Sequence, residues 1–198
     1  MLIRAGRRVE LRVISNPITG TGPAKGLLSN LFYGCGYNFY RNDDRLGADD
    51  LLIRGKLRQL LTDSRAHLSA LVAAFRHQNL PPPDPQCPAV NPVALAMAKS
   101  LEDAQRRLEA MEAAIRTTAM PQRAGLRRRH DRERGMFERL VALDGETVLA
   151  LVRLRDAIAA FHDGAAAAAA MGQLLRASEC GDLWSRREAL LAGEAGPD

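Results

Sequence analysis

A mainly α fold, an antiparallel helical bundle preceded by an extended N-terminal arm with a short β-strand or ribbon, follows from three observations. Long stretches place apolar residues at 3.6-residue spacing, whereas a single stretch near the N terminus alternates with period two. Aromatic residues make up only 5% of the chain, so its core has to be built from Leu, Ala, Val and Ile, which pack well between helices. The 198 residues suffice for one domain with a real core. The expected division is an arm over 1–47, a bundle over 48–192 and a flexible tail over 193–198.

Charge and cysteine usage bound the function classes. The net charge of +5 comes from 25 Arg against three Lys, a bias that base composition in a GC-rich genome explains as well as phosphate binding does. Cys35, Cys87 and Cys180 are odd in number and far apart, which suits a reducing compartment better than a disulfide framework. No secretory apolar region follows Met1, and Asp156, His162 and Asp163 interrupt the longest apolar run, so the expectation is a soluble cytoplasmic protein with no membrane span.

In the arm, residues 8–14 alternate strictly. Val9, Leu11 and Val13 share one face and Arg8, Glu10 and Arg12 the other, the pattern of a half-buried strand, with residues 2–4 as a candidate partner. A two-stranded ribbon is marginal alone and needs a helix or a partner's sheet to lie on. Residues 16–26 read as a turn-rich link. Its GTGPAKG run is no phosphate loop, because Lys25 precedes Gly26 and no hydroxyl follows the lysine.

Residues 31–41, LFYGCGYNFYR, hold five of the chain's nine aromatic residues and all three tyrosines. Read as an extended segment, Tyr33, Cys35, Tyr37 and Phe39 point one way and Phe32, Gly34, Gly36, Asn38 and Tyr40 the other. Gly34 and Gly36 allow positive φ or close approach, and the aromatics offer large contact area at little entropy cost. Phe32, Tyr33, Gly34, Cys35, Gly36, Tyr37, Phe39 and Tyr40 are therefore the candidate partner-docking residues, or a plug in the chain's own core.

The bundle follows. A helix capped near Asp49 runs to about Gln78, with Ile53, Leu57, Leu60, Leu61, Leu68, Leu71, Val72 and Phe75 on one stripe. His67 lies on the same stripe without a second ligand at i+3 or i+4, so it reads as a packed or interface histidine rather than a ligand. The prolines of 81–85 make a semi-rigid corner. Asn91-Pro92 then opens a helix to about Thr117, on a heptad seam of Met97, Leu101, Ala104, Leu108, Met111 and Ile115. From Phe137 an apolar stripe continues through Asp144-Gly145 to Phe161 as one helix with a local irregularity. An Ala-rich helix leads to Cys180, and a short last helix, capped by Asp182, carries Trp184 as an anchor.

Arg123, Arg127, Arg128, Arg129, Arg132 and Arg134 are candidate phosphate or nucleic-acid contacts, but at 100° per residue they spread around the helix rather than forming a directed patch. Asp43-Asp44 and Asp49-Asp50 are adjacent pairs whose side chains diverge, and the histidines and cysteines stand apart, so no catalytic or metal constellation, cofactor or small-molecule substrate is indicated. Cys35 between two glycines is the one residue with a nucleophile's access, but it lacks an identifiable base. The sequence thus leads to a non-catalytic accessory or structural subunit that docks on the protein subunits of a larger cytoplasmic assembly through its arm. A helical nucleic-acid-binding subunit using the 123–139 region is the alternative, and a cofactor-binding or thiol enzyme centred on Cys35 the third reading.

Overall fold

The computed structural model describes residues 23–40, 46–80, 91–118 and 130–192. It contains six helices in these residues: α1 (Pro23–Leu31), α2 (Leu46–Asn79), α3 (Pro92–Thr117), α4 (His130–Ala159), α5 (Gly164–Ala177) and α6 (Cys180–Ala192), and no strand. The expected strand at 8–14 and its ribbon partner lie outside the described residues, as do the proline corner and Cys87.

At about 51 Å, from 34 residues at 1.5 Å each, α2 is the spine. It packs on α3 and on α4; α5 lies across α3 and α2, α6 rests on α4, and α1 lies against α4. That α2 and α3 run antiparallel is visible in their cross-links, whose partners descend on one helix as they rise on the other: Arg54 to the Ile115 carbonyl, Arg65 to Glu112 and Glu109, and Arg76 to Glu102. The exposed ion pairs among these contribute no more than about 1 kcal/mol each. The hydrophobic stripe supplies the adhesion: Ile53, Leu57, Leu60, Leu61, Leu68, Leu71, Val72 and Phe75 are all buried, as the period required. On α3, Ala98, Leu101, Ala104, Leu108 and Ile115 are buried, while Met97 and Met111 pack at the margin.

The caps of α3 and α5 are local. The Asn91 side chain accepts from the Val93 and Ala94 amides with Pro92 in the first turn, and the Asp163 carboxylate accepts from Ala165 and Ala166. Gly164 is required by packing, since a Cβ there would sit 2.7 Å from the Phe75 Cβ. Its absence lets the start of α5 close on α2.

Several expectations need correction. Residues 23–26, expected as the end of a turn-rich link, instead open α1 (Pro23–Leu31). Pro23 sits at its first position, where its missing N–H costs nothing, and Leu28, Leu31 and Phe32 make a short apolar stripe onto the bundle. The aromatic stretch is not extended. It continues from α1 into successive turns, so the predicted two-sided alternation does not arise. Helix α2 begins at Leu46, leaving Asp49 inside its first turn with other work, and α6 begins at Cys180 rather than after Asp182. Helix α4 is continuous through Gly145, as expected, but without the expected local irregularity.

Candidate functional site: a braced aromatic turn

Residues 32–40 fold into a turn with a wet tip and a dry root. At the tip Tyr33 is 88% exposed, and Gly34, Cys35 and Gly36 are exposed around it. At the root Phe32 and Tyr40 are buried, with Tyr37 and Phe39 half-buried between them. The rings form a chain: Phe32 to Tyr37 at 5.1 Å, Tyr37 to Phe39 at 4.9 Å, Tyr37 to Tyr40 at 6.0 Å, and Tyr40 stacked on Phe137 of α4 at 6.3 Å. Such pairs each contribute about 0.5–1.5 kcal/mol beyond their buried area.

The backbone here is unusual. Gly34 and Gly36 have φ of 79° and 80°, the positive values that glycine permits. Phe39 and Tyr40, at 55° and 57°, occupy the left-handed region as consecutive bulky residues, which costs about 1–2 kcal/mol each. What offsets that cost is Asp49. Its two carboxylate oxygens accept from the Asn38 amide at 3.0 Å and the Tyr40 amide at 2.7 Å, so one buried side chain holds both ends of the kink. The adjacent start of α2 favours this negative charge.

Below the turn lies a buried ionic network that joins the turn to α2, α4, α6 and the end of α3. Arg187 of α6, with no exposed surface, donates through Nε to Asp144 of α4 at 2.6 Å and through Nη2 to Asp50 of α2 at 2.6 Å and to the Tyr40 hydroxyl at 3.1 Å. The Tyr40 hydroxyl in turn donates to Asp144 at 2.6 Å. Asp50 also accepts from Arg54 Nε at 2.6 Å, and Arg54 Nη1 reaches the Ile115 and Thr118 carbonyls at the end of α3, where a helix favours a cation. Trp184 supports both cations, its ring centroid lying 4.8 Å from the Arg187 guanidinium carbon and 5.3 Å from that of Arg54. Its indole N–H donates to Glu188 at 2.8 Å, and Thr118 and Glu188 are also hydrogen-bonded.

Burial dominates the electrostatics. It pushes the Asp144 carboxyl above its ordinary value, although Arg187 and Tyr40 draw it down. Burial and the nearby Asp144 raise the Tyr37 and Tyr40 hydroxyls well beyond the ordinary phenol range. Burial works against the Arg187 charge, yet Asp144, Tyr40 and Asp50 together hold it above its ordinary value, so the guanidinium stays charged. The Tyr40 hydroxyl gives its proton to one neighbour and accepts from another. Thus committed, it is a strut rather than a base or nucleophile. Among the described residues, two buried polar atoms, Tyr37 Oη and Arg187 Nη1, have no hydrogen-bond partner.

The structure splits the predicted docking set between tip and root: Tyr33, Gly34, Cys35 and Gly36 face solvent, while Phe32, Tyr37, Phe39 and Tyr40 pack on the chain's own bundle. Arg123, Arg127, Arg128 and Arg129 lie outside the described residues. Arg132 and Arg134 fall on α4. Among the described residues no group of His, Cys, Asp and Glu could hold a metal ion, and no helix is long and apolar enough to cross a membrane. Sequence reasoning missed Asp49, Asp50, Arg54, Asp144 and Arg187 as a unit. No protein-family model matches the chain, and no curated protein or solved structure shows significant similarity to it.

Proposed function

We propose that the protein is a non-catalytic accessory subunit that docks into a larger cytoplasmic assembly by inserting the tip of its aromatic turn, with Tyr33 as the anchor, into an apolar pocket of a protein partner. One observation carries the reading: an aromatic side chain at 88% exposure is held out on a turn whose root is fixed by a buried carboxylate and a buried arginine. Tyrosine suits this role because it offers a large rigid contact area with a polar end, and pre-ordering the turn lowers the entropy lost on binding. The free thiols of Cys35 and Cys180 fit a reducing compartment.

The test is affinity purification of the tagged full chain from its native cells, comparing wild type with Tyr33→Ala and with Val93→Ala as an exposed apolar control. The expected result is that Tyr33→Ala loses a stoichiometric partner that Val93→Ala retains, with helicity unchanged in both. Retention of every partner by Tyr33→Ala sinks the reading. Steeply salt-dependent RNA or DNA binding that disappears in Arg127→Ala/Arg128→Ala/Arg129→Ala would replace it with the nucleic-acid function.

A further inference from the structure

We propose that α6 is a releasable latch on the aromatic turn: α6 and residues 37–40 open together as one cooperative unit while α2, α3 and the body of α4 stay folded. The inference stands whether or not Tyr33 meets a partner.

Four observations converge on it. First, the apolar dock of α6 is short, with Leu190 and Leu191 only partly buried at its end. Of its 13 residues only Cys180, Leu183, Trp184 and Arg187 are buried, and the last is the most polar side chain a helix can bury. A buried ion pair adds little net stability compared with apolar packing, because desolvation consumes most of the attraction. A 13-residue helix with three buried apolar side chains around one buried arginine is therefore less cohesive than α2, whose stripe buries eight.

Second, the arginine's contacts are with the turn and its neighbours. Arg187 reaches Tyr40 directly, and it neutralises Asp144, to which Tyr40 is also bonded. Withdrawing α6 takes both supports of the Tyr40 hydroxyl's environment at once, since the hydroxyl then sits against an uncompensated carboxylate. Third, the turn has a reason to move when freed. Phe39 and Tyr40 are both in the left-handed region, and release lets them leave it. Fourth, among the described residues the closed state leaves Arg187 Nη1 and Tyr37 Oη buried without a hydrogen-bond partner, one on each side of the joint. Opening gives both to water, so the open state recovers hydrogen bonds that the closed state lacks. A hinge exists at the right place: Glu179, at φ 49°, separates α5 from α6.

Native-state amide hydrogen exchange on the full-length chain, across urea concentrations too low to unfold it, tests this directly. The amides of residues 183–192 and the Asn38 and Tyr40 amides should converge on a single opening curve, with opening at least tenfold more frequent than for residues 53–72 of α2 and 98–115 of α3. Arg187→Lys keeps the charge but loses the forked donors, and it should speed exchange of both segments by the same factor while leaving α2 and α3 unchanged. The proposal is overturned if α6 exchanges with α2 and α3, or if α6 and the turn follow separate curves in the wild type. It is equally overturned if Arg187→Lys accelerates α6 alone or unfolds the whole chain.

Discussion

The two ends of the bundle are held by different physics. Where α5 crosses α2 and α3, the core is made of Leu71, Val72, Phe75, Ala98, Leu101, Ala167, Ala168 and Met171, all buried. Near the start of α2, the same helix meets α4, α6 and the aromatic turn through Asp49, Asp50, Arg54, Asp144 and Arg187, also all buried. Apolar packing is non-directional and adds up, so the first region supplies cohesion. Hydrogen-bonded charges are directional and cost desolvation, so the second region fixes one geometry for a strained turn and stabilises it weakly. A chain that needed only stability would have no use for the second arrangement.

The largest expected effect is at the aliphatic end. Leu101→Ala removes a fully buried side chain from the α2–α3 seam, and urea denaturation should show a loss of about 2–5 kcal/mol with helices melting together. A loss below 1 kcal/mol would mean that this end is less tightly packed than its burial implies.

The same assay on Arg187→Leu sharpens the contrast. In a rigid site, stripping the cation from Asp144 and Asp50 costs about 3–5 kcal/mol. Because α6 can release and rehydrate both carboxylates, the cost in global unfolding should fall below that range, and the missing part should surface as fast exchange in α6. A full loss in one cooperative transition would show both ends to be equally rigid.

The aliphatic end was legible in the sequence and the network was not, for a physical reason. Apolar periodicity is a property of one helix at a time, so the α2 stripe, the α3 seam and the continuity of α4 through Gly145 could be read from local spacing. Asp144 and Arg187 are 43 residues apart and Arg187 and Tyr40 are 147 apart, and nothing local joins them. A trace was present all the same. Asp144 lies four residues from both Leu140 and Val148 on a buried stripe, and Arg187 follows Leu183 by four, so each puts a charge where the period demands a core residue. A charge on an apolar stripe asks for a partner, and two of opposite sign suggest each other. The side chains of Asp49 and Asp50 diverge, as the sequence implies for adjacent residues. That divergence is the useful feature, since it sends one carboxylate to the turn and the other to the arginines. Helix α1 was hidden by Gly26, by Gly20 and Gly22 just before it and by a short stripe, though Pro23 was a usable start signal.

A smaller effect isolates the clamp. Asp49→Ala orphans the Asn38 and Tyr40 amides and exposes the cost of two left-handed residues, so about 1–3 kcal/mol should be lost. Asp49→Asn keeps one acceptor oxygen and should lose less. The two variants can be ranked by thermal melting; equal losses would mean that charge, not hydrogen bonding, is what the turn needs.

The smallest effect is a pH dependence, and its sign is the informative part. Asp144 has a carboxyl that burial holds above its ordinary value, so the folded chain binds a proton there more readily than the unfolded chain does. The stability this group contributes is fully present below its ordinary value and is lost as pH rises through the folded value. Asp144→Asn cannot titrate, keeps an oxygen for Arg187 Nε, and leaves Asp50 as the counter-charge. Melting wild type and variant side by side from pH 3 to 8 (about five decades of proton activity) removes the contributions of every other titrating group from the difference. The variant should gain on wild type as pH rises, by an amount on the order of 1 kcal/mol. A variant that instead falls behind with rising pH would show that Arg187 outweighs burial and holds Asp144 below its ordinary value. The network would then be a net source of cohesion at neutral pH, and the division of labour between the two ends would be gone.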